Sequence, residues 1–188
     1  MKRGPRRLAA TLVWMAEKSG LAQWVALLGQ VFLRPKVAEL ILPEEEAPEP
    51  LAPLIGEIRR AQADPTAAEI EYTRLFLNPQ GAPCPPWQSA NSAAVGDLPR
   101  LFGPAHHSAL EWYRRYGAEP ADETEPADHI GLLLVFYARL LLVGEESETV
   151  AAFVDEHLSW APAYLEKLST EARHPLYRVL ADVSRSIV

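Results

Sequence analysis

The chain is short of cysteine, of clustered positive charge and of compact catalytic motifs, and each shortage removes a class of function. A single cysteine, Cys84, among 188 residues leaves no internal disulfide, and with no export signal recognised it points to a reducing compartment. Asp and Glu (25) outnumber Lys and Arg (18) for a net charge of -7, and the basic residues are scattered beyond the first seven positions. That distribution argues against nucleic-acid binding, which needs a concentrated basic surface, and favours a basic partner. No P-loop, dinucleotide fingerprint, nucleophile elbow or paired-cysteine metal motif occurs. The longest apolar run, Ile130 to Val143, is shorter than the roughly 20 residues that cross a bilayer and contains Arg139, so it reads as a buried core helix without stable membrane insertion.

What is present is helical periodicity. Lys2, Arg3, Arg6 and Arg7 precede an apolar run as in a secretory signal, but the run stops at Glu17-Lys18, and Leu8, Leu12 and Met15 fit one face of a first helix. Leu21, Trp24, Val25, Leu28, Val31 and Phe32 predict a second helix ended by Pro35, followed by a short helical piece from Val37 to Leu42. Pro43 to Pro53, rich in proline and glutamate, reads as a surface loop. Helical pattern resumes from Leu54 to Gln62 and, after Asp64-Pro65-Thr66, through Ile70, Tyr72, Leu75 and Phe76. Residues 78–91 carry Pro79, Pro83, Pro85 and Pro86, which withhold backbone donors and fix φ, so a long stiff loop is expected.

Ala109, Trp112, Tyr113 and Tyr116 make another helical face, with Gly117 as its stop. Thr124 is a candidate cap for the apolar helix that follows, with Pro126 in its first turn and Glu125 and Asp128 facing the positive end of its dipole. Val150, Phe153, Val154 and Leu158 give the next face, a bend is expected at Ser159 to Pro162, and His174-Pro175 opens the last helix with Leu176, Leu180, Val183 and Ile187 inward. No alternating strand pattern or internal repeat occurs, so the expected fold is all-α, a single-domain helical bundle over 1–188.

Candidate chemistry is sparse. His106 and His107 are adjacent and diverge on a helix, and Glu171-x-x-His174 lacks the second copy and two further glutamates of a di-iron bundle. His157 falls on an apolar face as a core histidine, and Trp160 reads as packing. Cys84 sits in the proline loop, where a thiol could be exposed, with nothing near it in sequence to activate it. Two features fit binding better. Trp87, on a loop braced by proline, loses little entropy on meeting a partner. Glu125, Asp128 and His129 gather at a groove edge, where carboxylates can receive a ligand's arginine or lysine.

Glu71-Tyr-Thr-Arg-Leu-Phe76, the run Pro79-x-Gly-x-Pro-x-Pro-Pro-Trp-x-Ser89, Glu125-Pro-Ala-Asp-His129, Phe153 to Trp160 and His174-Pro-Leu-Tyr177 resemble, in order and spacing, the TorD/DmsD family of redox-enzyme maturation chaperones. The likeness covers roughly residues 69–180. It implies a cytoplasmic, non-catalytic protein without cofactor, monomeric or dimeric. Such a protein binds the twin-arginine signal peptide on the precursor of a molybdoenzyme catalytic subunit until cofactor insertion is complete. It also implies a peptide site at Tyr72, Leu75, Phe76, Pro86, Trp87, Asp128 and His129, to which the charge reading adds Glu125, with Tyr72, Phe76 and Trp87 offering aromatic surface. An aromatic commonly ends the loop motif two residues after its serine; here that position is Asn91. The competing expectations are a helical-bundle enzyme using His129, His157 or Cys84, and a helical adaptor for folded partners.

Overall fold

The computed structural model describes residues 20–43, 47–92, 100–120 and 124–188. The expected helix through Leu8, Leu12 and Met15 lies outside them. Helix α1 (20–33) buries Trp24, Val25, Leu28, Val31 and Phe32 of the face its three- and four-residue spacing predicts, while Leu21, in its first turn, is exposed. A 3-10 turn, Val37–Glu39, stands where a short helical piece was expected. Helix α2 (Ala52–Ala63) starts two residues earlier than its pattern suggests, because Pro53 in a first turn gives up an amide that has no helical partner there. Helix α3 (Thr66–Tyr72) continues into a π-turn, Thr73–Leu77. Ile70, counted on its apolar face, is instead 66% exposed.

The loop ends earlier than expected: once the prolines stop at Pro86, Gln88–Asn91 form a single helical turn, α4. Helix α5 (Pro104–Arg115) closes at Gly117, whose φ of 64° is the left-handed stop that glycine tolerates, and Ala118 N–H returns to Tyr113 O at 2.8 Å. Helix α6 (Ile130–Val143) is the core helix, but Thr124 does not cap it. His129 does so, Nδ1 accepting Gly131 N–H at 2.9 Å, because residues 124–129 are drawn away to pair with the proline loop. Helices α7 (Ser147–His157), α8 (Ala161–Glu171) and α9 (Pro175–Arg185) complete the described chain, and His174 caps α9 in the same manner.

One continuous apolar core runs from Ala22 to Val183. Helix α9 lies against α8 and α2, and α7 against α5 and α6. Helices α1 and α6 meet at bare backbone: a Cβ on Gly29 would lie 2.6 Å from Gly131 O, and one on Gly131 would lie 2.7 Å from Gly29 O. Among the described residues there is no named strand, only the isolated Trp87–His129 bridge. No helix among them is long and apolar enough to cross a membrane.

Candidate functional site

The proline loop and the segment before α6 are separated by about forty positions, yet their backbones are joined. Gln88 N–H donates to Asp128 O (3.0 Å) and Ile130 N–H to Pro86 O (2.8 Å), an antiparallel bridge centred on Trp87 and His129. Pro86 can only accept, so it sits where the pairing asks for a carbonyl. Side chains repeat the connection. Trp87 Nε1 donates to Glu125 Oε1 at 2.6 Å, and Ser89 N–H to Asp128 Oδ2 at 2.8 Å. Asn91 Nδ2 donates to Pro85 O and Trp87 O, both at 2.8 Å, which folds the loop back on itself.

Helix α5 fixes the other side of this unit. His106 Nδ1 accepts Ala127 N–H (2.9 Å), and the Tyr113 hydroxyl donates to Ala127 O (2.7 Å). Burial, and then His107 beside it, hold the His106 imidazole below its ordinary pKa. The His129 imidazole is pushed down to about 3 by burial, so it stays neutral and keeps its acceptor on the α6 N-terminus. Asp128 is fully buried; its Oδ1 and the neighbouring Ser89 Oγ have no hydrogen-bond partner.

Sequence reasoning missed a second polar network that anchors the loop to α7. Gln88 Nε2 donates to Glu156 O (2.8 Å), and its Oε1 lies 2.9 Å from His157 Nδ1, which therefore carries the proton. Glu156 accepts from the Ser108 hydroxyl and from Trp112 Nε1 (2.9 Å). Its carboxyl is lowered by the Ser108 bond first, with burial opposing and Trp112 assisting. The buried His157 is lowered by desolvation, against the pull of Glu156 and Asp128. The apolar spacing of α7 identified His157 as a core residue, but nothing local in the sequence announces Gln88 or Ser108 as its neighbours.

The expected aromatic surface at Tyr72 and Phe76 is corrected. Tyr72, Leu75 and Phe76 are all enclosed: Tyr72 donates to Phe32 O (2.9 Å) and stacks edge-on with Phe76, which meets Phe32 and Tyr177. Their motif neighbours are structural as well. Arg74 forks onto Glu71 (2.7 and 2.9 Å) and reaches Glu171 O, while Glu71 accepts from the Arg173 and His174 amides at the α8–α9 junction. Burial raises the Glu71 pKa, but Arg74 and those amides outweigh it and leave it lowered. Cys84 is also buried rather than exposed, its thiol pushed up to about 11 by desolvation, which removes nucleophilic character. No group of His, Cys, Asp and Glu suited to a metal occurs among the described residues.

Of the expected site residues, Pro86, Asp128 and His129 are buried, while Trp87 and Glu125 keep partial exposure. Glu125 opens onto a cleft of about 380 Å³ lined also by His106, Leu110, Tyr113, Arg114 and Glu119. A smaller, mainly apolar hollow adjoins it, sharing Tyr113, Ala118, Glu119 and Pro120 and adding Leu132, Val135, Phe136 and the cationic Arg139. The tight turn Arg100 to Gly103, closed by Gly103 N–H to Arg100 O (3.1 Å), sits at the base of α5. Its Phe102 has φ of 58°, a strained value for a bulky residue that costs about 1–3 kcal/mol. Phe102 is 46% exposed and its ring meets His106 edge-on, the centroids 5.1 Å apart.

A family profile described as nitrate reductase delta subunit matches residues 42–166. The chain is similar to the Tat proofreading chaperone DmsD of Salmonella typhi, 30% identical over 115 residues, or 61% of this chain and 55% of that protein. It is similar to the chaperone protein TorD of Shewanella pealeana, 25% identical over 142 residues (72% and 64%). It also resembles the chaperone protein YcdY of Escherichia coli, 29% identical over 128 residues (66% and 63%). The match to DmsD spans little more than half of that relative's length.

Proposed function

We propose, from the premise that the chain belongs to the nitrate reductase delta subunit family, the group that includes the TorD and DmsD chaperones, that it binds the twin-arginine signal peptide of a redox-enzyme precursor. The client is the catalytic subunit of a molybdenum-cofactor oxidoreductase. The chaperone works in the cytoplasm, holds the precursor back from export until cofactor insertion and folding are complete, and catalyses no reaction.

The observation that carries this reading is the composition of the joined clefts. Such a peptide has a cationic end and an apolar stretch. Glu119 and Glu125 line one cleft, and Leu132, Val135 and Phe136 line the hollow beside it. Arg114 at the rim sets a limit on how much cation the first cleft accepts. In this reading Trp87 and Glu125 touch the peptide, Pro86, Asp128 and His129 hold that pair in place, and Tyr72, Leu75 and Phe76 belong to the core and do not meet it.

The energetics suit a reversible holder. Burying three or four aliphatic side chains contributes roughly 1.5–3 kcal/mol each, and ordering the peptide opposes this by a few kcal/mol. Micromolar to submicromolar binding follows, which permits release. Charge pairs at a wet rim add little, so apolar contacts set affinity and the carboxylates set orientation. Calorimetric titration with a synthetic twin-arginine peptide, beside a control whose apolar stretch is made polar, tests the reading. Saturable binding of the first alone supports it, and no binding of either overturns it.

A further inference from the structure

We infer that Phe102 is a specificity-determining contact of this chaperone, its ring resting on the cleft-lining His106, where it packs against the apolar stretch of the bound signal peptide; the inference rests on the function proposed above. Phe102 is the third residue of a four-residue turn, and positive φ at that position is the province of Gly or Asn. A phenylalanine there raises the energy of the turn, while the next residue, Gly103, cannot carry a side chain at all, since its Cβ would lie 2.7 Å from Arg100 O. The positive φ at Phe102 and the side-chain-free Gly103 together shape the turn that carries the ring. Of the non-glycine residues described, Phe102 has the one positive φ.

The strained ring does not disappear into the core. Phe102 is 46% exposed and the preceding Leu101 is 44% exposed, so the turn presents two apolar side chains together. Phe102 rests on His106, and His106 has two further connections: it lines the cleft with Glu119 and Glu125, and it accepts Ala127 N–H in the segment carrying Asp128 and His129. An aromatic ring beside an acidic cleft matches a ligand in which an apolar stretch follows consecutive arginines. Charge complementarity therefore selects the signal peptide as its occupant over a second, equally acidic copy of this chain. A rigid aromatic also loses little freedom on contact, which suits an anchor.

The test pairs binding with stability. The probe is a synthetic peptide with two consecutive arginines and an apolar stretch of about 12 residues, titrated into the full chain and into Phe102→Gly, Phe102→Ala and Phe102→Trp. Glycine removes the ring and relieves the positive φ, so Phe102→Gly is expected to melt at or above the temperature of the unaltered chain yet bind about tenfold more weakly. Phe102→Ala binds equally weakly, and Phe102→Trp restores affinity. The control peptide with a polar stretch does not distinguish the variants. Unchanged affinity in Phe102→Gly overturns the inference while leaving the proposed function standing. A melting temperature well below that of the unaltered chain also overturns it, because the ring would then be holding its own fold. Failure of the unaltered chain to bind the peptide overturns the proposed function and this inference together.

Discussion

The region around Tyr72, Phe76 and Tyr177 and the region around Trp87, Asp128 and His157 are both built from residues that look like binding motifs in the sequence, and the fold uses them in opposite ways. In the first, edge-on and tilted rings interlock at centroid separations of 4.9–6.3 Å, and each phenol is satisfied by a backbone carbonyl, Phe32 O or Ala68 O. In the second, rings are spaced by carboxylates, amides and imidazoles, and two buried polar atoms lack partners. A dry aromatic cluster derives its stability from packing, and little of it can be exchanged for a ligand. A polar seam holds its shape through directed hydrogen bonds, and only its partly exposed members, Trp87 and Glu125, are open to a partner.

The largest effect that would break this contrast is at Phe76. Phe76→Ala is expected to cost about 3–5 kcal/mol in denaturant unfolding, while the fraction that remains folded binds peptide with unaltered affinity. A loss of affinity in the folded fraction would put Phe76 in the site.

Acid sharpens the contrast by a few kcal/mol. Unfolded histidine takes up a proton near 6.5, whereas folded His129 resists until about 3, and His106 and His157 are lowered as well. The unfolded state therefore binds more protons through that interval, and stability that is full above about pH 6.5 falls as pH drops toward 4. Glu71, whose pKa is lowered from 4.5, adds its own loss only as pH falls below that value. Fluorescence-monitored unfolding across pH should show His129→Asn flattening the upper part of this decline, and a curve unchanged by that substitution would refute the assignment.

Smaller still is the division within the seam. Trp87→Ala should weaken peptide binding about tenfold and Glu125→Gln by less than threefold, with the second effect fading at high salt. Equal losses in titration would mean that charge sets affinity. Asn91→Ala should cost about 1 kcal/mol or less and show itself mainly in hydrogen exchange. The amides of Gln88 and Ile130, which carry the bridge, exchange faster, while that of Tyr177 in the aromatic cluster does not change.

Much of this was legible in the chain. Apolar spacing located α1, α5, α7 and α9, and the proline and glycine positions marked their ends, because those signals act within a turn or two of helix. Three things were not legible. Thr124 and His129 compete for the cap of α6, and the winner depends on the bridge to Pro86, a partner 44 positions away from Ile130 in the chain. The inward direction of Tyr72 and Phe76 depends on α1 and α9 covering them, whereas periodicity says only that they share a side. The pairings of Trp87 with Glu125 and of Gln88 with His157 join segments 38 and 69 residues apart, and no local spacing encodes them. The resemblance points to these residues as a set, and only packing separates the enclosed Tyr72, Leu75 and Phe76 from Glu125, which lines the cleft.

The crossing of α1 and α6 at Gly29 and Gly131 gives the least motif-like part of the chain a hold on the most motif-like. Gly131 lies two residues past His129, so whatever shifts that crossing shifts the cap, the bridge and the cleft rim with it. A single methyl group at Gly29, which would press on Gly131 O and on Val135 behind the apolar hollow, therefore acts as a spacer inserted under the binding apparatus. It offers a way to change the height of the site without replacing any side chain that lines it.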